Sequence, residues 1–253
     1  EHDGAHHDFL RPLNRLNLYA LVPALAFTKL LHSELSLARI GAIGLYWLVL
    51  GLVMWALSAA ACALTRVNRE RRDAVAMAWM FPNSANYGLP VAQLAYGATG
   101  VAVQSVVVAA QNLVFFTLAP FLAGGGLAQV RRGLRAAASM PSLYAVAAAL
   151  LLPGRPELLP APLDSALATL GEGLVPVALL TLGVQLGSRR PPALSGDLAL
   201  AAAGRLVAGP LVGALLVPLL GFEGDAGRTL VLAAGYPVAV NAALLAIEFR
   251  RQQ

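Results

Sequence analysis

The chain has few charged residues and almost no cysteine for its length. Only 12% of its 253 residues are Asp, Glu, Lys or Arg, and Cys62 is the single cysteine. One cysteine excludes an internal disulfide, and its place in an apolar run indicates a small core side chain. Motifs for nucleotide binding, a catalytic triad and metal-ligand spacings are also absent from the sequence. We therefore expect neither an ATP-driven pump nor an enzyme, and no cofactor.

The charged residues that are present are mostly basic, with seventeen arginines, one lysine and a net charge of +5. A basic balance can indicate a nucleic-acid partner, but these arginines flank apolar runs and do not alternate with aromatic residues, so we expect none. The polar first 15 residues include five that could ligate a metal, although a solvated terminus is the commoner role for such a stretch. These five are His2, Asp3, His6, His7 and Asp8.

Apolar residues make up 58% of the chain, and its mean hydropathy is +0.69. They fall into eight segments, each near the length of a membrane helix. The segments run approximately over residues 16–31, 40–64, 74–96, 101–122, 136–152, 163–186, 198–220 and 229–249. The sequence therefore predicts an all-α polytopic membrane protein with lipid around it. In the second segment Tyr46, Trp47 and Trp55 are candidate anchors at the membrane interface.

The arginines divide unequally between the two sides of the membrane. If the segments alternate in direction, thirteen arginines lie on one side and only Arg39, Arg155 and Arg228 on the other. Because positively charged residues collect in cytoplasmic loops, this asymmetry places both ends of the chain in the cytoplasm. We expect a multi-pass protein of the inner (plasma) membrane.

The third segment is interrupted at its centre, where residues 79–90 read WMFPNSANYGLP. Each proline removes a backbone donor and clashes with the preceding turn, so an unbroken helix cannot pass through. Polar backbone groups freed in hydrocarbon each cost several kcal/mol unless a neighbour satisfies them. Broken helices with polar side chains near the middle of the membrane are typical of transporter binding sites.

A second copy of this pattern lies near the end of the chain. Residues 236–241, YPVAVN, repeat the order of residues 81–86, FPNSAN: an aromatic residue, a proline and, four residues after the proline, an asparagine. The phrases ALVPAL at 20–25 and GLVPVA at 173–178 precede the two copies at nearly the same distance. Because the copies run in opposite directions, we predict an inverted repeat of the kind that secondary transporters use for alternating access. The predicted divisions are a polar segment at 1–15, a first half at 16–123, a basic cytoplasmic loop at 124–140 and a second half at 141–253.

Three stretches resemble the auxin efflux carrier family of permeases, within the wider group that includes bile-acid/sodium symporters. They are FPNSANYGLP at 81–90, LVPVALLTLG at 174–183 with Gln185, and GYPVAVN at 235–241 with Glu248 and Phe249. The resemblance implies ten helices in two inverted halves, whose fourth and ninth helices cross at broken centres. The eight segments then correspond to the second to ninth helices, and the family's first and tenth helices are expected to be missing. It also implies small organic anions as substrates, such as auxin in plants and malate or malonate in bacteria.

The resemblance and the broken centres together give the candidate site residues. The substrate-binding candidates are Asn83, Asn86, Tyr87, Asn241 and Arg205, and the expected crossover and hinge residues are Pro82, Gly88, Pro90, Tyr236 and Pro237. Half-helix N-termini favour an anion, and asparagine amides add neutral donors. The alternative role for Asn86 and Asn241 is to cap the interrupted helices.

Two charged residues inside the segments have open roles. Arg205 lies deep in the seventh segment, where a charge is costly, and it could attract an anion, pair with Glu172 or reach toward the cytoplasm. Glu172 could carry a coupled proton or lie near the outer interface. For Gln111 and Asn112, contacts between helices are favoured over a place in the cavity.

We therefore predict a secondary active transporter that moves a small organic anion by alternating access. A transport-incompetent binding or sensing subunit, or a truncated permease, is the alternative. Its expected partners are the anion and membrane lipid, and a homodimer is an open alternative for its assembly.

Overall fold

The computed structural model describes residues 10–122, 127–152, 156–187 and 195–238. Regular structure in these ranges is entirely helical, which confirms the predicted all-α class. The one β-type pairing among the described residues is an isolated antiparallel bridge between Pro82 and Val238.

The helices follow the apolar segments in chain order. Helix α1 covers residues 10–31 and contains a π-helical turn at Asn17–Leu21 before its regular part, Val22–Leu31. The next helices are α2 (Leu37–Leu64), α3 (Arg69–Met80), α4 (Leu89–Leu122, after a π-helical turn at Ser84–Gly88), α5 (Leu127–Ala138) and α6 (Pro141–Leu151). After a 3-10 turn at Pro156–Leu158 come α7 (Ala161–Glu172), α8 (Leu174–Gly187), α9 (Gly196–Ala203), a π-helical turn at Gly204–Ala208, α10 (Gly209–Leu219) and α11 (Gly224–Ala234).

Four helical runs among the described residues are long and apolar enough to cross a bilayer. A fifth span results if the end of α5 (Arg131–Ala138) and the whole of α6, whose axes differ by 67°, are counted as one broken span. The four runs are Leu37–Leu64, Ser84–Val114, Ala161–Gly187 and Gly196–Leu219. The second of these is bent at Gly97 and is therefore not one straight crossing. The prediction of eight segments exceeds this number. The third predicted segment is split at Phe81, and its second part belongs to the same helical run as the fourth segment. The eighth segment continues beyond the described residues.

Helix α4 consists of two antiparallel arms, because the chain reverses direction at Gly97. That residue has φ 55° and ψ −138°, a conformation that glycine adopts without a Cβ clash. A Cβ on Gly100 would lie 2.5 Å from the carbonyl oxygen of Ala92, whereas eight residues of straight helix span about 12 Å. The reversal falls between the third and fourth segments, as the sequence predicts.

Each π-helical turn of the described residues ends two residues before a proline. The turns Asn17–Leu21, Ser84–Gly88 and Gly204–Ala208 precede Pro23, Pro90 and Pro210 respectively. Proline lacks the N–H of the regular helical bond and its ring crowds the preceding turn, so a wider turn relieves the contact. The N–H of Gly88, for example, donates to the carbonyl of Asn83, five residues back, over 2.9 Å. The prolines thus locate the irregular turns.

The loops that the sequence assigns to the outer side meet at one end of the molecule. His32, just after α1, lies with its Nε2 3.3 Å from a carboxylate oxygen of Asp164, near the start of α7. Arg39 donates to the carbonyl of Gly221, between α10 and α11, over 2.5 Å. A cavity of about 500 Å³ connects the loop after α1 with Thr99, beside the reversal in α4. These contacts agree with helices that alternate in direction.

One face of helix α2 packs against the rest of the protein. Tyr46 and Trp47 are buried, and the Tyr46 hydroxyl donates to the carbonyl of Leu230 in α11 over 3.0 Å. The expected interfacial role is therefore wrong for these two residues, and Tyr46 joins α2 to the second half of the chain. Trp55 is exposed on the outer surface of the same helix.

Candidate functional site

The interrupted centres of the two broken segments lie against each other. Helices α3 and α11 both end just before their prolines. Beyond these ends Pro82 and Val238 form the antiparallel bridge, and the N–H of Asn83 donates to the carbonyl oxygen of Pro237 over 2.7 Å. Backbone that is not helical is tolerated at membrane depth only where protein or a cavity surrounds it. The two predicted breaks therefore meet, and their meeting point is called the crossover below.

Tyr236 fills the space between the two halves at this point. It is 2% exposed, its hydroxyl donates to the carbonyl of Gly88 over 3.2 Å, and its ring meets that of Tyr87 edge-on at 5.5 Å between centroids. A Cβ on Gly88 would lie 2.7 Å from the Tyr236 ring and 2.8 Å from Nε2 of Gln104. The close approach of the two halves therefore requires a glycine at position 88.

Two glutamines of α4 satisfy the carbonyl groups that the first break frees. Gln111 donates to the carbonyl of Pro82 over 2.9 Å and accepts from the hydroxyl of Ser84 over 2.5 Å. Gln104 donates to the carbonyl of Ser84 over 3.0 Å. Asn112, the neighbour of Gln111, reaches a serine hydroxyl of α6 at 3.3 Å. Both Gln111 and Asn112 bridge elements, as the sequence favours, whereas the sequence analysis missed the part played by Gln104.

A group of asparagines lies beside the π-helical turns of α1 and of the first break. Asn86 donates to the side-chain oxygen of Asn14 over 3.3 Å, and its own oxygen is buried with no partner in the described part of the chain. Asn17, one turn along from Asn14, is 0% exposed, and neither polar atom of its amide has a partner among the described residues. A buried polar group without a partner costs about 1–3 kcal/mol and calls for an explanation such as a ligand or ordered water. The sequence analysis missed Asn17, although an asparagine in an apolar helix is a readable signal.

Arg205 is buried where the two broken helices end. It is 1% exposed, and its two terminal nitrogens donate to the carbonyl oxygens of Trp79 in α3 and Ala234 in α11. Its Nε has no partner in the described residues. The sequence left open whether Arg205 meets an anion or pairs with Glu172. Among the described residues it forms no ion pair, and Glu172 is exposed at the end of α7.

Among the described residues, neither Asn83 nor Asn86 caps an interrupted helix. Asn83 stands directly before the turn Ser84–Gly88, but its side chain makes no capping hydrogen bond. Asn86 lies inside that turn and donates to another side chain. Asn241 lies outside the described residues. So do the candidate metal ligands near the N-terminus, which are His2, Asp3, His6, His7 and Asp8.

Comparison with known proteins gives the family. The family model described as a membrane transport protein matches residues 5–129 and 127–253, which together cover nearly the whole chain. No curated protein matches the sequence. The chain therefore belongs to the membrane transport protein family, the auxin efflux carrier family that its broken segments resemble.

Proposed function

We propose that this chain is a secondary active transporter that moves a small organic anion across the inner membrane by alternating access, with the substrate at the crossover. The observation that carries the proposal is the contact between the two breaks, where the N–H of Asn83 meets the carbonyl of Pro237. Many transporters hold their substrate where two broken helices of opposite direction meet. Membership of a membrane transport family supports the same role.

An anion is the ligand class that the breaks favour. The helical stretch that begins at Ser84 turns its N-terminal end toward the crossover, and a helix N-terminus carries roughly +0.5 elementary charge. Asn86 lies in the first turn of this stretch, and α1 contributes the buried amide of Asn17, for which the described residues offer no partner. Tyr87 adds a phenol, and the repeat gives Asn241 the equivalent place in the second half. Neutral donors of this kind suit a carboxylate.

Alternating access requires one group of helices to move against another around the crossover. We expect five residues to absorb the change in backbone angles, because they interrupt the helices and pack where the halves touch. These residues are Pro82, Gly88, Pro90, Tyr236 and Pro237. Gly88 and Tyr236 are in direct contact, so the two breaks would move together.

The same proposal includes two inverted halves, at 16–123 and 141–253, with both ends of this chain in the cytoplasm. The arginine asymmetry supports this orientation, and the gathering of alternate loops at one end of the molecule agrees with it. Glu172 is the candidate for proton coupling, from an exposed position at the end of α7.

Uptake by proteoliposomes tests the proposed function. The purified protein would be reconstituted and offered labelled malate, malonate and an aromatic monocarboxylate, with binding measured in parallel in detergent. We expect saturable uptake of at least one acid, reduced in Asn86→Ala and retained in Asn112→Ala, which alters a contact away from the crossover. Binding without uptake would identify a binding or sensing subunit. Neither binding nor uptake of any acid would contradict the proposal of an anion substrate.

A further inference from the structure

Two helices end at the crossover with backbone carbonyl groups that the helices themselves cannot satisfy. In a regular helix the carbonyl of Trp79 would accept from the N–H of Asn83, but that N–H donates across the crossover to Pro237. The carbonyl of Ala234 would accept from Val238, but α11 ends at Ala234 and Val238 lies in the crossover bridge. The crossing thus deprives both helix ends of a donor.

A single side chain meets both of these carbonyl groups. Arg205 lies in the π-helical turn between α9 and α10 and donates from Nη1 to the carbonyl of Trp79 and from Nη2 to that of Ala234. A guanidinium suits this position because its planar fork holds two donors at a fixed spacing, whereas a lysine offers one compact charge. Both terminal nitrogens of the arginine are therefore engaged by backbone.

The helix that carries Arg205 is shaped to bring it close to both broken segments. A Cβ on Gly204 would overlap the indole of Trp79, and one on Gly209 would overlap the carbonyl oxygen of Ala234. Trp79 in turn donates from its indole nitrogen to a carbonyl of α9 over 3.1 Å. Glycines on either side of the arginine thus allow backbone contact. The arginine can leave its carbonyl partners for a substrate only if this packing opens.

The charge of Arg205 also matches its surroundings. The C-terminal end of a helix carries roughly −0.5 elementary charge, and two such ends, those of α3 and α11, converge on the guanidinium. One positive charge therefore offsets two partial negative charges. The positive end of the helical stretch that starts at Ser84 is then left to act on an anion.

We propose that Arg205 is the positioning residue of the crossover. Its guanidinium replaces the missing donors of both helix ends, offsets their partial negative charge and holds the two breaks together without touching the substrate. The structural part of this inference stands on the contacts of Arg205 alone. Its consequence for transport rests on the proposed function.

Hydrogen–deuterium exchange measures the structural part directly. In Arg205→Gln we expect peptides that contain residues 79–87 and 232–238 to exchange about tenfold faster or more than in the wild type, because both breaks lose a donor. Arg228→Gln is the matched control, since the same change there removes an exposed arginine that pairs with Asp225. The control should exchange like the wild type at both breaks. Wild-type exchange at both breaks in a folded Arg205→Gln protein would overturn the proposal.

Substrate charge separates positioning from direct binding. The Kd of a dicarboxylate and the Kd of its monoamide would be measured in the wild type and in Arg205→Gln. We expect the ratio of these two Kd values in the variant to stay within about twofold of the wild-type ratio. The transport rate of the variant should fall about tenfold or more. A ratio that changes tenfold would identify a charge contact with the substrate and would overturn the positioning role. If the wild type transports no acid, the proposed function fails, and the exchange experiment still decides the role of Arg205.

Arg205→Lys provides the second variant in case Arg205→Gln does not fold. It keeps the positive charge but loses the two-pronged donor. We expect this variant to fold. The backbone amides at its two breaks should exchange faster than in the wild type and more slowly than in any folded Arg205→Gln protein. Wild-type exchange at both breaks would show that charge alone suffices and would overturn the two-carbonyl role.

Discussion

The N–H of Asn83 donates to the carbonyl oxygen of Pro237 over 2.7 Å, and this bond joins the broken centres of two helices from opposite halves of the chain. Pro82 and Pro237 both lack a backbone donor, so neither helix can continue and the polar groups around each proline need other partners. They find these partners in each other, in glutamines of α4 and in Arg205. The residues that break the helices are therefore the ones that bring the halves together.

Gly88→Ala should destabilise the crossover. The added methyl group would lie 2.7 Å from the ring of Tyr236 and 2.8 Å from Nε2 of Gln104, both of which are buried. Overpacking of this kind costs about 1–3 kcal/mol, so we expect a lower melting temperature in detergent. Gly183→Ala is the control, because no atom lies within 4 Å of a methyl group there. Equal melting temperatures for Gly88→Ala and the wild type would contradict the close approach.

Gln111→Leu should also lower stability, for a different reason. The change introduces an apolar side chain of similar size. It removes the side-chain donor to the carbonyl of Pro82, which keeps only the N–H of Ser84, and it leaves the hydroxyl of Ser84 without its acceptor. A buried polar group left without a partner costs about 1–3 kcal/mol. Gln93→Leu is the matched control, since the side-chain oxygen of Gln93 already has no partner in the described residues. Similar melting temperatures for the two variants would argue against the role of Gln111.

Much of the fold at the crossover could be predicted from the sequence, because prolines act locally. Pro82 and Pro237 predict the breaks, and Pro23, Pro90 and Pro210 each follow a widened turn that a regular helix would not need. The repeated order of aromatic, proline and asparagine predicts that the breaks correspond, and their opposite directions predict that they cross. These features need no knowledge of distant contacts.

The features that the sequence analysis missed depend on which way a residue faces. Helix α2 is apolar on all sides, so no pattern tells that Tyr46 and Trp47 face the protein interior and not the membrane interface. The partners of Arg205 are backbone carbonyls. Every residue type has a backbone carbonyl, so no side-chain pattern in the sequence points to these partners. Asn17 was missed because it is the second residue of the predicted segment 16–31, and a polar residue so near the end of a segment is expected at the membrane interface.

The orientation can be tested with single cysteines on a Cys62→Ala background. The arginine asymmetry predicts that thiol labels at exposed positions 34 and 225 react from outside and that labels at 68 and 132 react from the cytoplasm. The variants are Glu34→Cys, Asp225→Cys, Asn68→Cys and Arg132→Cys. An impermeant reagent applied to intact cells should modify only the first pair, and inverted vesicles should show the reverse. Modification of all four from one side would exclude the alternating arrangement.

The last prediction concerns the asparagines of the proposed site, which we expect to affect substrate affinity and the stability of the substrate-free protein differently. Asn86 and Asn241 hold equivalent positions in the two sequence repeats, and Asn17 is buried with an amide that has no partner within the described ranges. Removing a donor from a desolvated hydrogen bond costs about 1–3 kcal/mol, or roughly ten- to hundredfold in affinity. We therefore expect Asn86→Ala, Asn241→Ala and Asn17→Leu each to weaken substrate binding by about that factor.

Asn17→Leu should in addition stabilise the empty protein, because an apolar side chain of similar size removes a buried amide that has no partner among the described residues. Higher thermal stability together with weaker binding is the combination expected of a residue kept for its ligand. Asn112→Ala serves as the control, since Asn112 already bonds a serine of α6 and its loss should lower stability and spare binding. The measurements are the melting temperature without substrate and the Kd for the acid that the uptake assay identifies. A more stable Asn17→Leu protein with wild-type affinity would remove Asn17 from the site, because an amide that binds the substrate cannot be replaced by a leucine at no cost in binding.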